Sequence, residues 1–349
     1  MVAVALALGT ACQAAPRSGG QVGVWYIPFW TAGDEFGHWK HVEDRKAAMP
    51  LGGRYASNDP EVIERQWRQM RACGISFLVM DDTNTVHVDS SLIDRNIRAW
   101  FDFMDRQRPQ DRIPIAIAAG GELNQHANRQ AWADAVEYLW KQYAHRASYK
   151  QMDGKPLLLW YIEKDVWPDW TDARWTVKKA YTFFRADAIY RNGGWGYGGD
   201  TSIPCNPECM SFHPGWDLSP PGHLREGGDL YRRLWVQTLK CHPRYVLLSD
   251  WNGWNEGTAL EDSAAWTDTY SQPAPSWYRL LTRGYIAAYK GKMLDGFYYR
   301  DESSPDVYLF QRGRLVYQGA CPHGVPVVLL PKGSIGKQGD AVVAHRAPR

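Results

Sequence analysis

Short apolar segments of strand length recur along the chain, each followed by a stretch with helical spacing, and this alternation limits the available folds more than any other feature. Val22 to Trp30 (VGVWYIPFW) is rich in β-formers. Asp59 to Cys73 has helical periodicity, with Asp59 placed as a cap and Pro60 at the first helical position. Ile75 to Met80 (ISFLVM) reads as a buried strand ending at Asp81 and Asp82. Ser91 to Arg108 is an amphipathic helix, Ile113 to Ala119 a strand ending at Gly120-Gly121-Glu122, and Arg129 to Arg146 a helix. Pro156 to Ile162 is a strand that delivers Glu163. Farther on, Ala180 to Ile189 is a candidate fifth strand, Gly193 to Asp200 a loop rich in Gly and Trp, and Cys209 to His213 a sixth strand running into Pro214-Gly215-Trp216-Asp217. Gly228 to Cys241 is a helix, Tyr245 to Ser249 (YVLLS) a seventh strand, and Pro275 to Lys290 another helix. No eighth strand is evident.

Continuous apolar strands interleaved with helices imply parallel strands covered by helices. An open doubly wound sheet and a closed barrel both satisfy that pattern. No G-x-G-x-x-G or P-loop opens any helix, which weakens the nucleotide-binding alternative. Polar and acidic residues gather at the C-terminal ends of the strands, where a (β/α)8 barrel builds its active site. The expected class is therefore α/β, a (β/α)8 TIM barrel over residues 16–293. A chain of 349 residues is long enough for one such barrel. From residue 294 the texture changes to Asp306 to Phe310, Leu315 to Gln318 and Val325 to Leu330, short strands that read as a small antiparallel appendage. A polar tail follows from Gly333.

Val2 to Ala11 is small and apolar and leads into Cys12-Gln13-Ala14-Ala15, so residues 1–15 resemble a secretory signal. Cys12 is alternatively a lipid-acylation site. Either way the expected location is secreted, periplasmic or cell-surface lipoprotein. Export permits disulfides, and the close pair Cys205 and Cys209 could close a small loop. No clustering of thiols and imidazoles suggests a metal, and no cofactor is expected. Lys and Arg total 40 against 38 Asp and Glu, a net charge of +2 that offers no field for nucleic acid. No apolar run approaches the ~18 residues of a spanning helix, so no integral membrane segment is expected. A monomer is the expected state.

Tryptophan is abundant, 18 residues beside 19 Tyr. Indole packs well in cores and also stacks on the apolar faces of sugar rings. The densest group of chemically capable side chains follows the seventh strand: Asp250-Trp251-Asn252-Gly253-Trp254-Asn255-Glu256-Gly257-Thr258. Amides bind hydroxyls as donor and acceptor, and a carboxyl between indoles is desolvated toward the pKa a general acid needs. The bland alternative is a turn in which the indoles pack and Glu256 caps a helix.

This segment resembles the W-N-E-W-x-E-G-T signature of glycoside hydrolase family 99 and its relatives, the endo-α-mannosidase group and the wider family 71/99-like barrels. Trp25-Tyr26-Ile27-Pro28-Phe29-Trp30 resembles the first-strand Y-Y-P-W-Y type, and His38-Trp39-Lys40-His41 the H-W-x-H element. Tyr55 through Gln66 is similar to Y-x-S-x-D-P-x-V-I-x-x-Q, Gly74-Ile75 to a G-I-D strand start, Tyr149 through Pro156 to Y-x-x-x-x-G-R-P, and Pro214-Gly215-Trp216-Asp217 to P-G-Y/W-D. The shared order spans residues 22–290. The resemblance implies a (β/α)8 barrel acting on α-linked glycans, with Glu256 as acid/base. It also implies a first Glu that deprotonates the sugar 2-hydroxyl, but Gly253 stands at that position and has no side chain to do so.

Three readings follow. A carboxylate from another strand end supplies the second function, with Asp81, Asp82 and Glu122 leading and Glu163, Asp217 and Asp250 behind. Alternatively the protein is a non-catalytic glycan-binding barrel, or a different chemistry runs on a shared barrel, a role accompanying polysaccharide synthesis among the rivals. The preferred expectation is an exported glycoside hydrolase with a carbohydrate as its partner. Trp25, Tyr26, Trp30, His38, Trp39, His41, Glu163, His213, Trp216, Asp217, Asp250, Trp251, Asn252, Trp254 and Asn255 are then candidates to line the cleft. Glu261 and Asp262, on the following loop, read as surface residues.

Overall fold

A computed structural model describes residues 20–35, 37–45, 48–83, 90–120, 129–162, 170–182, 186–198, 203–216, 225–264 and 274–336. The signal-like segment, Glu122, Glu163, Asp217 and the end of the polar tail lie outside them. The chain forms a (β/α)8 barrel. Its parallel strands are β1 (Gln21–Tyr26), β2 (Phe77–Asp82), β3 (Ile115–Ala119), β5 (Lys155–Ile162), β6 (Thr176–Thr182), β7 (Gly196–Tyr197), β8 (Cys209–Phe212) and β9 (Tyr245–Leu248). A two-residue strand, β4 (Gln151–Met152), pairs antiparallel with the start of β5. The ladder runs from β1 through β2, β3, β5 and β6 to β7, and in the other direction from β1 through β9 to β8.

β7 and β8 lie side by side at the seam. The hydroxyl of Ser211 on β8 donates to Gly194 O at 2.7 Å and accepts from Gly196 N at 3.1 Å. Gly198 N donates to Ser249 Oγ at 2.7 Å. Two serine side chains thus take up the backbone groups that a two-residue strand cannot pair. The eighth strand missing from the sequence reading is this β7, inside the Gly- and Trp-rich loop. The proposed fifth strand at 180–189 is corrected as well. The strand starts earlier, at Thr176, and Ala186–Arg191 is helical.

The helices are α1 (His38–Asp44), α2 (Pro60–Cys73), α3 (Ser90–Arg106), α4 (Arg129–Gln142), α5 (Ala186–Arg191), α6 (Asp229–Cys241) and α7 (Trp277–Tyr289). α2 shows how locally the sequence dictates its limits. The Asp59 carboxylate accepts from Glu61 N, and Pro60 fills a position whose amide would have no helical partner. At the other end Gly74 takes a left-handed φ of 87°, and Ile75 N reaches back to Met70 O at 3.1 Å.

Strand alternation divides the core into two layers. Trp25, Phe77, Val79, Ala116, Ala118, Leu159, Ala180, Tyr197 and Leu247 fill the barrel interior. Val24, Tyr26, Leu78, Met80, Ile117, Trp160 and Leu248 face the helices. Trp25 spans the interior, its indole N–H donating to Gly196 O on β7 at 3.0 Å. The alanines of β3 and β6 leave room for so large a side chain.

The C-terminal strands β10 (Tyr298–Asp301), β11 (Val307–Gln311), β12 (Arg314–Tyr317) and β13 (Val327–Leu330) form a second sheet in the order β12-β11-β10-β13. It is mixed, not purely antiparallel, because β13 pairs parallel with the unforeseen β10. The cysteine expectation is also corrected. Cys205 is bonded to Cys241 at the end of α6, whereas Cys209 is a free thiol buried in the barrel interior. β8 turns the Cys209 side chain inward, away from the loop that carries Cys205.

Candidate active site at the C-terminal mouth of the barrel

The segment after β9 is pinned to the barrel by its own side chains. Asn252 imitates a strand partner: its Oδ1 accepts from Ile27 N at 2.8 Å and its Nδ2 donates to Ile27 O at 2.9 Å. Trp30 donates its indole N–H to Asn252 O at 3.1 Å. Buried Arg225 donates to Gly257 O and to Ala259 O, at 2.6 and 2.8 Å from Nη2. Between these clamps a single 3-10 turn, Trp254–Glu256, carries the Glu256 side chain. The turn ends at Gly257, whose φ of 71° suits glycine.

Glu256 meets a second acid there. The hydroxyl of Tyr197, on β7, lies 2.7 Å from Glu256 Oε2 and is also hydrogen-bonded to Asp250 Oδ2. Thr258 Oγ1 is 3.1 Å from the same Asp250 oxygen. Two hydrogen bonds through one phenol oxygen bring an oxygen of each carboxyl within about 5 Å of the other. A phenol has one proton and can donate to only one of them, so the other carboxyl must itself be protonated to donate back. The geometry therefore stores at least one carboxyl proton. Burial, then the charge of Glu256, pushes the Asp250 carboxyl well above its ordinary range. Burial and the charges of Asp250 and Glu256 keep the Tyr197 phenol neutral.

Gly253 is explained by the same geometry. A Cβ there would overlap the Asp250 carboxylate and the Thr258 hydroxyl. The space that a side chain at 253 would enter is already held by an acid from three residues earlier.

Asp81 and Asp82 part company because consecutive strand residues face opposite ways. Asp81 shares its face with Phe77 and Val79 and looks into the mouth, where its charge is felt at Tyr197 and Asp250. Its Oδ1 accepts from Thr83 N at 3.1 Å, and burial raises its pKa. Asp82 faces the helical layer. Burial, then the charge of Asp94 on α3, raises its pKa well above the usual range.

The aromatic candidates are more deeply placed than the sequence suggested. Trp25, Trp30, Trp39, Trp251 and Trp254 are each at most 1% exposed, so protein covers their faces. Trp30 packs against Trp39 with ring centroids 4.0 Å apart and planes tilted by 34°, and Trp25 meets Tyr197 edge-on at 5.1 Å. Tyr26 is on the outer layer, donating to Gln66 Oε1 at 2.8 Å. His213 and Trp216 are buried just past β8. His38 packs on Phe29 at 4.0 Å, and His41 is exposed on α1 beside Arg45. Asn255 is half-buried, its carbonyl accepting from Arg45 Nη1 at 2.5 Å. Among the described residues no group of three or more His, Cys, Asp or Glu is placed to hold a metal ion.

Two residues escaped the sequence reading. Tyr197 was hidden in a loop-like run of Gly and Trp. Glu261 reads as a surface residue in the sequence, but it is buried and accepts from Tyr55 OH and Gln66 Nε2, both at 3.0 Å. Its burial follows from three donors that converge on it, the third being Arg65 at 3.2 Å.

The barrel is shared with solved glycosidases. A GH99 endo-alpha-mannosidase from Bacteroides thetaiotaomicron, in complex with BIS-TRIS-Propane, superposes with a TM-score of 0.60 at 16% identity, over 77% of this chain and 97% of that one. A second structure of the GH99 endo-alpha-mannosidase from the same organism gives 0.57 at 15% identity, with the same coverage. A glycoside hydrolase-like protein gives 0.50 at 13%, over 80% of this chain and 97% of that one. The chain matches no protein-family model and no curated protein. At these identities the likeness establishes a common fold.

Proposed function

We propose that this chain is an exported glycoside hydrolase that cleaves a polysaccharide or oligosaccharide, with Glu256 as its general acid. The observation that carries this reading is the phenol oxygen of Tyr197 shared between the carboxyls of Glu256 and Asp250 at the barrel mouth. A glycosidic oxygen leaves only if protonated, and the donor must keep its proton near neutral pH. A carboxyl pair that jointly retains a proton meets that need.

Asp250 has no exposed surface, so it acts on the reaction through Tyr197 and Glu256 and does not touch a sugar. The second carboxylate is Asp81, which faces the same mouth from β2 and is partly exposed. It serves as base or nucleophile on the opposite side of the scissile bond. Family likeness in the signature segment, together with the endo-alpha-mannosidase barrels, makes α-linked mannans the first polymers to try. The Cys205–Cys241 disulfide suits the oxidising compartment that the signal-like leader implies.

The test is reducing-end release from a panel of α- and β-linked polysaccharides. Wild type is expected to cleave at least one. Glu256→Gln should fold normally by circular dichroism yet turn over about 10²-fold more slowly or worse. Activity within threefold of wild type removes Glu256 from the mechanism. Binding of a glycan without cleavage would instead identify a lectin-like barrel.

A further inference from the structure

The short turn bearing Glu256 lies between Gly253 and Gly257, whose carbonyls are held by Thr258 and Arg225, and the turn adds an anchor of its own. On the side facing α2 its only aromatic member, Trp254, donates its indole N–H to Tyr55 OH at 3.2 Å. Indole is a donor and nothing more, so the Tyr55 oxygen must accept there and send its own proton elsewhere. It sends it to Glu261 Oε2, 3.0 Å away. The same oxygen accepts from Gln66 Nε2 at 3.0 Å, and the Gln66 carbonyl is in turn held by Tyr26 OH at 2.8 Å. Each direction in this chain is therefore determined: Trp254 to Tyr55 to Glu261. The Glu261 side chain is 2% exposed and lies behind the indole, out of reach of any substrate.

We propose that Glu261 is a positioning residue for Glu256: its buried carboxylate orients the Tyr55 hydroxyl, which anchors the Trp254 indole and so holds the Glu256 turn against Tyr197. The inference rests on the hydrolase reading for its catalytic consequence but on geometry alone for the anchoring. Tyr55 and Gln66 are the two ends of the α2 segment noted in the sequence, 11 positions apart, and Glu261 is the point in space where they meet. An acceptor oxygen is needed there because it takes the protons of both Tyr55 and Gln66 from one side, where an N–H would compete with Trp254 for the Tyr55 oxygen. Glutamine can reproduce the Oε2 contacts if its amide nitrogen turns toward Arg65, whose side chain is 42% exposed and free to swing into water.

Three variants test it: Tyr55→Phe, Glu261→Leu and Glu261→Gln. Tyr55→Phe is the mild one, because it removes one oxygen and keeps the ring against Trp39. The substrate is the polysaccharide found by the panel, alongside its 2,4-dinitrophenyl glycoside, whose leaving group departs without protonation. Misplacing a general acid slows the first and spares the second. Expected for Tyr55→Phe and Glu261→Leu is a fall in kcat of about tenfold or more on the polysaccharide, KM within about twofold, and kcat/KM within about threefold on the dinitrophenyl glycoside, since kcat/KM reports bond cleavage even where the same carboxyl later acts as base. Glu261→Gln should recover most of the loss. Equal slowing on both substrates, or an unchanged kcat in folded Tyr55→Phe, overturns the inference. If wild type cleaves nothing in the panel, the hydrolase reading falls, and crystal structures then decide the anchoring. Glu256 Oε2 moving beyond hydrogen-bond distance of Tyr197 in Tyr55→Phe supports it, and a contact unchanged from 2.7 Å overturns it.

Discussion

Asp250 is a residue that stability alone would not retain. It is wholly buried, and its Oδ1 has no hydrogen-bond partner among the described residues. A carboxyl whose pKa is raised by folding contributes stability that is complete below its unfolded value, here 3.8, and is lost as pH rises through the folded value. Asparagine has no such loss, since it is neutral throughout. The melting temperature of Asp250→Asn relative to wild type should therefore climb with pH, by about 2 °C or more between pH 4.5 and 8, whatever constant offset the amide introduces. Turnover should fall at least tenfold over the same range, because Tyr197 then has no proton-holding partner. Parallel melting curves across that range would show that Asp250 is ionised in the native state. The same reasoning separates Asp81 from Asp82. Asp81→Asn is expected to cost about 10²-fold in turnover with the fold intact, while Asp82→Asn, on the far face of β2, leaves turnover within about threefold. The converse result in the same assay would exchange their roles.

At the scale of elements, the loop of residues 250–261 works because a buried cation holds its backbone. Arg225 reaches two carbonyls and lies over the Tyr278 ring at 4.2 Å, a geometry suited to a planar guanidinium and not to an ammonium. Arg225→Met should cost about 2–4 kcal/mol, read as a lower urea midpoint with unchanged slope, since it strands the Gly257 and Ala259 carbonyls. Arg225→Lys should recover only part of it. Full stability in the methionine variant would mean that other contacts fix the loop. Periodicity made the long elements legible: α2 and α3 begin and end within two residues of their expected limits, and β2, β3 and β5 follow the apolar runs. Alternation along β2 could also have separated Asp81 from Asp82. What periodicity could not show is β7, since two residues have no period, and with β7 it missed Tyr197. Glu261 was illegible for another reason: its burial depends on Tyr55, Gln66 and Arg65, which lie about 200 positions away in sequence and meet it only in the folded barrel.

The whole molecule has one continuous outer core, and the C-terminal sheet belongs to it. Tyr299, Val328 and Leu330 are buried in the same cluster as Trp235, Leu281 and Tyr285 of α6 and α7. Leu329 N donates to Tyr285 OH at 3.1 Å, Arg232 Nε to Val327 O at 3.2 Å, and Val328 fills the space that Gly284 leaves on α7. The sequence suggested a barrel followed by an appendage, and a chain ending at Met293 tests how separable the two are. Such a chain removes Tyr299, Val328 and Leu330 from the core and uncovers Tyr285 and the Gly284 face of α7, the helix that also packs against α2. Burial of each large apolar side chain contributes about 1.5–3 kcal/mol, so several together rival the net stability of a domain. The truncated chain is accordingly expected to lack a cooperative melt and to lose the near-ultraviolet circular dichroism of its packed indoles. It should also be inactive, because Arg225, Tyr278 and the active-site loop depend on α7 for their seating. A truncated protein that melts cooperatively and keeps its activity would show instead that the barrel is complete without the second sheet.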